Sequence, residues 1–201
     1  MGRRIRIWLF PVIGLILMTA IIISNGPLLK PDSGSVIHVW LDSFISGRAV
    51  GPGEIGSVSG DLPDFELKPG DILLGGFPNC SYGLYTHIAL YAGEDQIIEA
   101  FMDVGVIKQN YRHFRNYTYM AVLRPQLPED VKLAAVEYAE SKVGEVFFPL
   151  CFKQDEHYWN CSKIVWKAFA EQGVDLDPIG DLWIAPDAFK LVPQMEVLYE
   201  R

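Results

Sequence analysis

Two segments of the chain carry clear patterns of hydrophobic and polar positions. From Thr86 to Gly93 the side chains alternate with a period of two, which predicts a strand that begins near His87. After Cys161 apolar residues recur at the spacing of a helix, at Ile164, Val165, Ala168 and Phe169. The sequence therefore predicts a strand opened by a histidine and, much later, a helix opened by a cysteine.

The predicted strand continues into a hairpin whose loop fixes a register. Residues 93–95 predict a short loop before a second strand over 96–100. A three-residue loop places Ala89 opposite Glu99, so that Glu99 lies on the same face as His87, one diagonal step away. A loop longer or shorter by one residue would place Glu99 on the other face.

These residues predict a thiol nucleophile together with a base and an orienting acid. Cys161 lies in the first turn of its helix, where unpaired amides and the helix dipole favour a thiolate, and Asn160 is the predicted N-cap. An imidazole such as His87 can take the proton of the thiol, and a carboxylate at Glu99 can hold that imidazole in its working tautomer. A buried cysteine can also be a plain apolar residue of the core.

The order of these motifs resembles the NlpC/P60 superfamily of papain-like cysteine hydrolases, in its circularly permuted YiiX/YebB-like branch. There the histidine strand precedes the cysteine helix. The resemblance extends from about Leu67 to about Leu176 and rests on five segments, at 68–73, which it implies as the first strand, and at 86–93, 98–100, 121–125 and 158–162. It implies Cys161 as nucleophile, His87 as base and Glu99 as the orienting acid.

Two positions depart from the pattern of that branch. Lys163 stands where an acidic residue is frequent, and residues 147–149 read Phe-Phe-Pro where a Tyr-Asp pair is more usual. The related lecithin:retinol acyltransferase branch shares the permuted order and an Asn-Cys pair. Asn160 and Cys161 therefore do not separate a hydrolase from an acyltransferase.

Four aromatic residues near the two motifs are candidates for substrate binding: Tyr82, Tyr85, Tyr158 and Trp159. The alternative for each is core packing or a surface loop. The other three histidines, His38, His113 and His157, are interpreted as surface or packing residues, with His157 a reserve base.

Composition excludes several classes of function. Seventeen basic against twenty-five acidic residues give a net charge of −8, without the basic surface that nucleic-acid binding requires. No glycine-rich segment is followed by the Gly-Lys-Ser/Thr of a phosphate loop. The three cysteines lack the paired spacing of a zinc site, so neither a metal nor another cofactor is expected.

The N-terminus predicts a membrane location. Arg3, Arg4 and Arg6 precede an uncharged run over 7–29, and about 20 apolar residues suffice to cross a bilayer. The arginines favour the cytoplasmic side, which would leave the rest of the chain outside the cytoplasm. A cleaved signal peptide, followed by secretion, is the alternative. An oxidising compartment would also allow Cys80 to pair with Cys151.

We therefore expect a membrane anchor or signal segment at 1–29, a linker or stalk at 30–66 and a hydrolase domain at 67–201. The linker includes a short packed helix or strand over 36–45. The expected domain is an α+β, permuted papain-like fold whose antiparallel sheet packs on the helix that carries the cysteine, preceded by an N-terminal transmembrane helix.

The expected function is a cysteine hydrolase that cleaves amide or ester bonds through a thioester acyl-enzyme. Cell-wall peptides are the first candidate substrates. One alternative is an acyl hydrolase or acyltransferase that acts on lipids. Another is a catalytically inactive binding module at a membrane. The sequence leaves the oligomeric state open.

Overall fold

The computed structural model describes residues 2–24, 26, 35–48, 51, 53–54 and 60–201, and for residues 2–11 the backbone alone. Its helices are α1 Gly2–Ser24, α2 Val36–Ile45, α3 Glu129–Glu140 and α4 Cys161–Ala170. Its strands are β1 Ile72–Gly76, β2 His87–Gly93, β3 Gln96–Phe101, β4 Gly105–Asn110, β5 Tyr119–Pro125, β6 Val146–Phe147, β7 Tyr158–Trp159 and β8 Met195–Glu200. Two 3₁₀ helices cover Tyr111–Asn116 and Pro186–Leu191.

Six strands form one antiparallel sheet in the order β4-β3-β2-β1-β5-β8. The expected α+β architecture is confirmed, because α3 and α4 pack on one face of this sheet through a shared apolar core. The parallel pair of β6 and β7 was not expected. It lies directly before α4 and orients the segment that leads to Cys161.

The opposite face of the sheet has a second core. Ala89, Tyr91 and Ile97 lie there with Phe114 and Tyr117, which come from the 3₁₀ helix Tyr111–Asn116 and the residue after it. His87 shares the face of Ala89 because side chains alternate along β2. His87 is the first residue of its strand, at the end of β2 that meets α4.

The hairpin of β2 and β3 has the predicted register at its centre, but its loop is shorter than the predicted three residues, because Gly93 pairs with Gln96 and leaves only residues 94 and 95 between the strands. Leu90 pairs with Ile98 and Tyr91 with Ile97, and a bulge before Gly93 absorbs one residue near the turn. These pairs put Ala89 opposite Glu99, so Glu99 lies on the face of His87.

The first strand begins later than the motif predicted. Residues 68–71 form a turn, in which the Asp71 amide donates to the Lys68 carbonyl at 2.9 Å and the Asp71 carboxylate accepts from the Lys68 amide at 2.8 Å. Gly70 has a φ of +90°, in the left-handed region that favours glycine. The extended strand therefore starts at Ile72.

The segments before the sheet differ from expectation in two respects. Over the described residues, none of the helices is both long and apolar enough to cross a bilayer, so the predicted transmembrane helix has no support here. The segment 36–45 is a helix, yet Trp40, Phe44 and Ile45 are exposed while Ser43 is buried. Residues 30–34, 49–50, 52 and 55–59 of the predicted linker lie outside the described residues.

Candidate active site

Cys161 is the first residue of α4, as the apolar spacing predicted. The side chain of Asn160 accepts a hydrogen bond from the Lys163 amide at 2.8 Å, which confirms the predicted N-cap. The amide of Cys161 itself belongs to the first turn, where the helix provides no acceptor. The thiol therefore lies in a region of positive electrostatic potential.

His87 and Glu99 are in direct contact beneath the surface. Nε2 of His87 lies 2.6 Å from Oε2 of Glu99, and both side chains are almost completely buried. The other oxygen, Oε1, accepts a hydrogen bond from Gln109 of β4. Because Nε2 is engaged by the carboxylate, Nδ1 is the ring nitrogen left to exchange a proton with a thiol.

Aromatic rings hold the imidazole in place. The Phe101 ring lies 4.2 Å from that of His87, centroid to centroid, and the Tyr117 ring is nearly parallel to it at 6.1 Å. Tyr117 can lie there because Gly75 has no side chain: a Cβ on Gly75 would be 2.4 Å from Cδ2 of Tyr117. Sequence reasoning did not find Tyr117.

The charges of the three groups reinforce one another. Burial raises the pKa of Cys161, but the interactions with His87 outweigh it and leave the thiol pKa below its ordinary value. Burial acts to lower the pKa of His87, yet Cys161 and Glu99 raise it to about 9. Burial acts to raise the pKa of Glu99, while His113 and His87 lower it to about 2. A thiolate and an imidazolium are thus favoured together near neutral pH.

The other two thiols differ from Cys161. Cys80 and Cys151 are buried, and that burial raises the pKa of each above its ordinary value. All three cysteines are free, so the considered pairing of Cys80 with Cys151 is not formed. The three thiols are therefore distinguishable by their acidity.

His113 also contacts Glu99, against the expectation of an ordinary surface or packing residue. Its Nε2 lies 3.4 Å from Oε2 of Glu99, is buried and forms no hydrogen bond with the described residues. Its Nδ1 lies 3.0 Å from the Asn110 carbonyl oxygen and donates to it. Tyr111, Phe114 and Tyr117 recur every third residue here, and this spacing is the signal that could have predicted a 3₁₀ segment.

The four predicted substrate-binding aromatics have different surroundings. Tyr85 is fully buried and its hydroxyl donates to Glu200 at 3.0 Å, and Trp159 is 1% exposed. These two belong to the core, which is the alternative the sequence left open. Tyr82 is half-buried, and burial followed by the charges of Cys80 and Cys161 raises its pKa. Tyr158 is 45% exposed and contacts the Phe148 ring.

Lys163, one of the two departures from the family pattern, makes contacts that stabilise the local fold. Its side chain is buried, and Nζ donates to the carbonyl oxygens of Asp155 and, at 2.8 Å, Tyr158. The same ammonium lies 5.0 Å from the centre of the Trp159 ring. Lys163 thereby ties the segment before the nucleophile to the first turn of α4.

The described part of the chain has no group of three or more His, Cys, Asp or Glu side chains arranged to hold a metal ion. The chemistry available at the site is that of the thiol, the imidazole and the carboxylate.

Comparisons with known proteins agree with this fold. The uncharacterized protein YycO of Bacillus subtilis (strain 168) is 29% identical over 113 residues, which cover 53% of this chain and 45% of YycO. The chain thus matches less than half the length of that relative. The crystal structure of the metalloprotein yiiX from Escherichia coli O157:H7 is similar over 99% of its chain and 68% of this one, with a TM-score of 0.54 and 13% identity.

The family comparison covers more than half of the chain. Residues 66–182 match the model of the permuted papain-like amidase enzymes, the YaeF/YiiX or C92 family. This range contains the cysteine helix and the histidine hairpin. The chain therefore belongs to the permuted papain-like amidase enzymes of the YaeF/YiiX or C92 family.

Proposed function

We propose that the protein hydrolyses amide bonds with Cys161 as nucleophile, His87 as acid and base, and Glu99 as the residue that orients His87. The observation that carries this proposal is the buried 2.6 Å contact of His87 with Glu99, at the end of β2 that meets the N-terminus of α4. The lowered pKa of Cys161 supports it, although burial alone would raise that pKa.

In this mechanism the Cys161 thiolate attacks the carbonyl carbon of the amide. The backbone amide of Cys161, in the first turn of α4, donates a hydrogen bond to the oxygen as it becomes negative. Protonated His87 gives its proton to the nitrogen of the leaving amine, and the C–N bond breaks. The acyl group is then bound to sulfur as a thioester.

Water completes the cycle. Neutral His87 takes a proton from a water molecule, whose oxygen attacks the thioester carbonyl; the C–S bond then breaks, the acid product leaves, and the Cys161 thiolate and protonated His87 are restored. Glu99 stays ionised throughout and stabilises the imidazolium whenever it forms. A location at a membrane, outside the cytoplasm, stays a prediction, as does the choice of cell-wall peptides.

An activated ester tests the nucleophile without knowledge of the substrate. With p-nitrophenyl acetate we expect a burst of p-nitrophenolate and one acetyl group on Cys161, found by peptide mass spectrometry. Cys161→Ala and His87→Ala should lose the burst, whereas Cys151→Ala should keep it. Acetylation spread over other residues, or an unchanged burst in Cys161→Ala, would refute the proposal in favour of an inactive binding module.

A further inference from the structure

Helix α2 exposes a row of apolar side chains along one side. Five of its residues are between 38% and 82% exposed and recur at helical spacing: Ile37, Trp40, Leu41, Phe44 and Ile45. We name these five residues the α2 stripe. At about 100° per residue they fall within about 140° of the helix circumference. Single exposed apolar residues are common on proteins, but a continuous cluster of them marks a site of interaction.

The other side of α2 faces the papain-like domain. Ser43 is buried on that side, and the Val36 amide donates to the Asp181 carboxylate at 3.3 Å. Asp42 and residues of the 3₁₀ helix Pro186–Leu191 line a common cavity of about 860 Å³. A surface helix normally packs its apolar side on the core, whereas α2 packs its polar side and leaves the α2 stripe outside. Because α2 is attached to the domain, whatever binds the stripe also orients the domain.

The helix before α2 presents the same kind of surface. Four consecutive residues of α1 are more than half exposed: Leu15, Ile16, Leu17 and Met18. Consecutive residues of a helix point in different directions, so this part of α1 is apolar on every side. A helix that is apolar on every side is stable where it is removed from water.

The length of chain between the two helices limits their separation. α1 ends at Ser24 and α2 begins at Val36. An extended chain covers at most about 3.6 Å per residue, so these two positions lie within about 43 Å of each other. The α2 stripe is therefore within reach of the surroundings that remove α1 from water.

Three properties of the α2 stripe favour a lipid surface over a second copy of the chain. Five side chains of this size, each about half exposed, offer on the order of 500 Å², less than the roughly 800 Å² that each partner of a stable dimer buries. A dimer would also bring together two chains that each have a net charge of −8. Trp40 is of a residue type enriched between water and hydrocarbon, and its ring stacks on the Phe44 ring at 6.0 Å.

We infer that α2 lies in the interface of a membrane, with the α2 stripe in the acyl-chain boundary, and that this contact fixes the orientation of the papain-like domain on the bilayer. Interfacial helices bury their apolar face about 5 to 10 Å deep. The inference goes beyond the proposed amidase function and does not depend on it. Because the chain is acidic, contact with hydrocarbon supplies the binding, and it needs neither anionic lipid nor low salt.

Fluorescence quenching by spin-labelled lipid tests the inference in the full chain, reconstituted in phosphatidylcholine vesicles. The environment-sensitive fluorophore NBD is attached to an introduced cysteine, Phe44→Cys, in a Cys161→Ala background. Cys80 and Cys151 are buried, and the signal of the parent protein is subtracted. We expect blue-shifted emission and strong quenching by phosphatidylcholine that carries a doxyl group near the headgroup, unchanged at high salt. Ile45→Cys repeats the measurement, so that a folding defect in one variant does not decide the result.

Two further positions for the fluorophore are the controls. Asp42→Cys is the matched control, because Asp42 is exposed on the same helix, about 160° away from Phe44. Val197→Cys places the fluorophore at an exposed position of β8. Both should be quenched much less than the label at Phe44→Cys, and equal quenching at all three positions would overturn the inference. A label at Phe44→Cys that is blue-shifted without lipid and insensitive to the doxyl group would overturn it in favour of contact between two copies of the chain.

Discussion

His87 and Glu99 contact each other at 2.6 Å across one hairpin, Nε2 to Oε2, with both side chains almost completely buried. The contact requires a single register, since a shift of one residue would turn Glu99 to the other face of the sheet. It fixes the imidazole so that Nδ1 is left for the thiol. The reactivity of Cys161 therefore depends on the geometry of a β-hairpin.

This contact predicts how stability depends on pH. The pKa of Glu99 is lowered from 4.5 to about 2, so its contribution to folding is complete above pH 4.5 and is lost as the pH falls toward 2. The pKa of His87 is raised from 6.5 to about 9, so its contribution is complete below pH 6.5 and is lost as the pH rises toward 9.

Glu99→Gln should therefore reduce the free energy of unfolding most between pH 4.5 and 6.5, and less on either side. Urea unfolding at a series of pH values measures this difference. Glu140→Gln is the control, because Glu140 is half-exposed in its pair with Lys108. A loss of stability that is the same at every pH would show that the contact is not ionic.

His113 should modulate the base. Its Nδ1 donates to the Asn110 carbonyl, so a proton on the Nε2 that faces Glu99 makes the ring a cation. His113→Gln removes this cation and its repulsion of protonated His87, which raises the pKa of His87. The alkaline limb of the pH profile of kcat/KM should therefore move to higher pH by a fraction of a pH unit. His157→Gln, at an exposed position, should leave the limb in place, and a downward movement in His113→Gln would contradict this role.

Lys163 should matter more for stability than its position beside the nucleophile suggests. Lys163→Met leaves the carbonyls of Asp155 and Tyr158 without their donor, at a cost of about 1 to 3 kcal/mol for an unsatisfied buried group. Lys167→Met removes only an i,i+4 pair with Glu171, worth about 0.3 to 0.5 kcal/mol. Thermal unfolding should show a clearly larger decrease in Tm for Lys163→Met than for Lys167→Met. Equal decreases would show that the hydrogen bonds of Lys163 to these two carbonyls do not stabilise the fold.

The local part of the site could be predicted from the sequence. Asn160 and Cys161 follow from helix capping and apolar spacing. The placement of Glu99 beside His87 was predicted from a three-residue loop, whereas the structure reaches the same register with a two-residue loop and a bulge between Tyr91 and Gly93. Each of these depends on residues close together in the chain, so local rules suffice.

The remaining contacts depend on long-range packing. Tyr117 reaches His87 because Gly75 leaves room for its ring on another strand, and no periodicity of either segment encodes that fit. His113 reaches Glu99 from a 3₁₀ turn, while Tyr85 and Trp159, expected in a cleft, fill the core. Aromatic residues near a motif serve packing and binding alike, and only the fold separates the two.

The most direct test of the account is the rate of alkylation by iodoacetamide as a function of pH, followed separately at each cysteine. Cys161 should react with an apparent pKa well below about 8.5, the ordinary value for cysteine, while Cys80 and Cys151 should react slowly and with raised pKa values. His87→Ala should return Cys161 to ordinary behaviour, and Cys161→Ala should remove the fast reaction. If Cys161 titrates as an ordinary thiol in the unmodified protein, or if His87→Ala changes nothing, the proposed pairing of Cys161 with His87 is wrong.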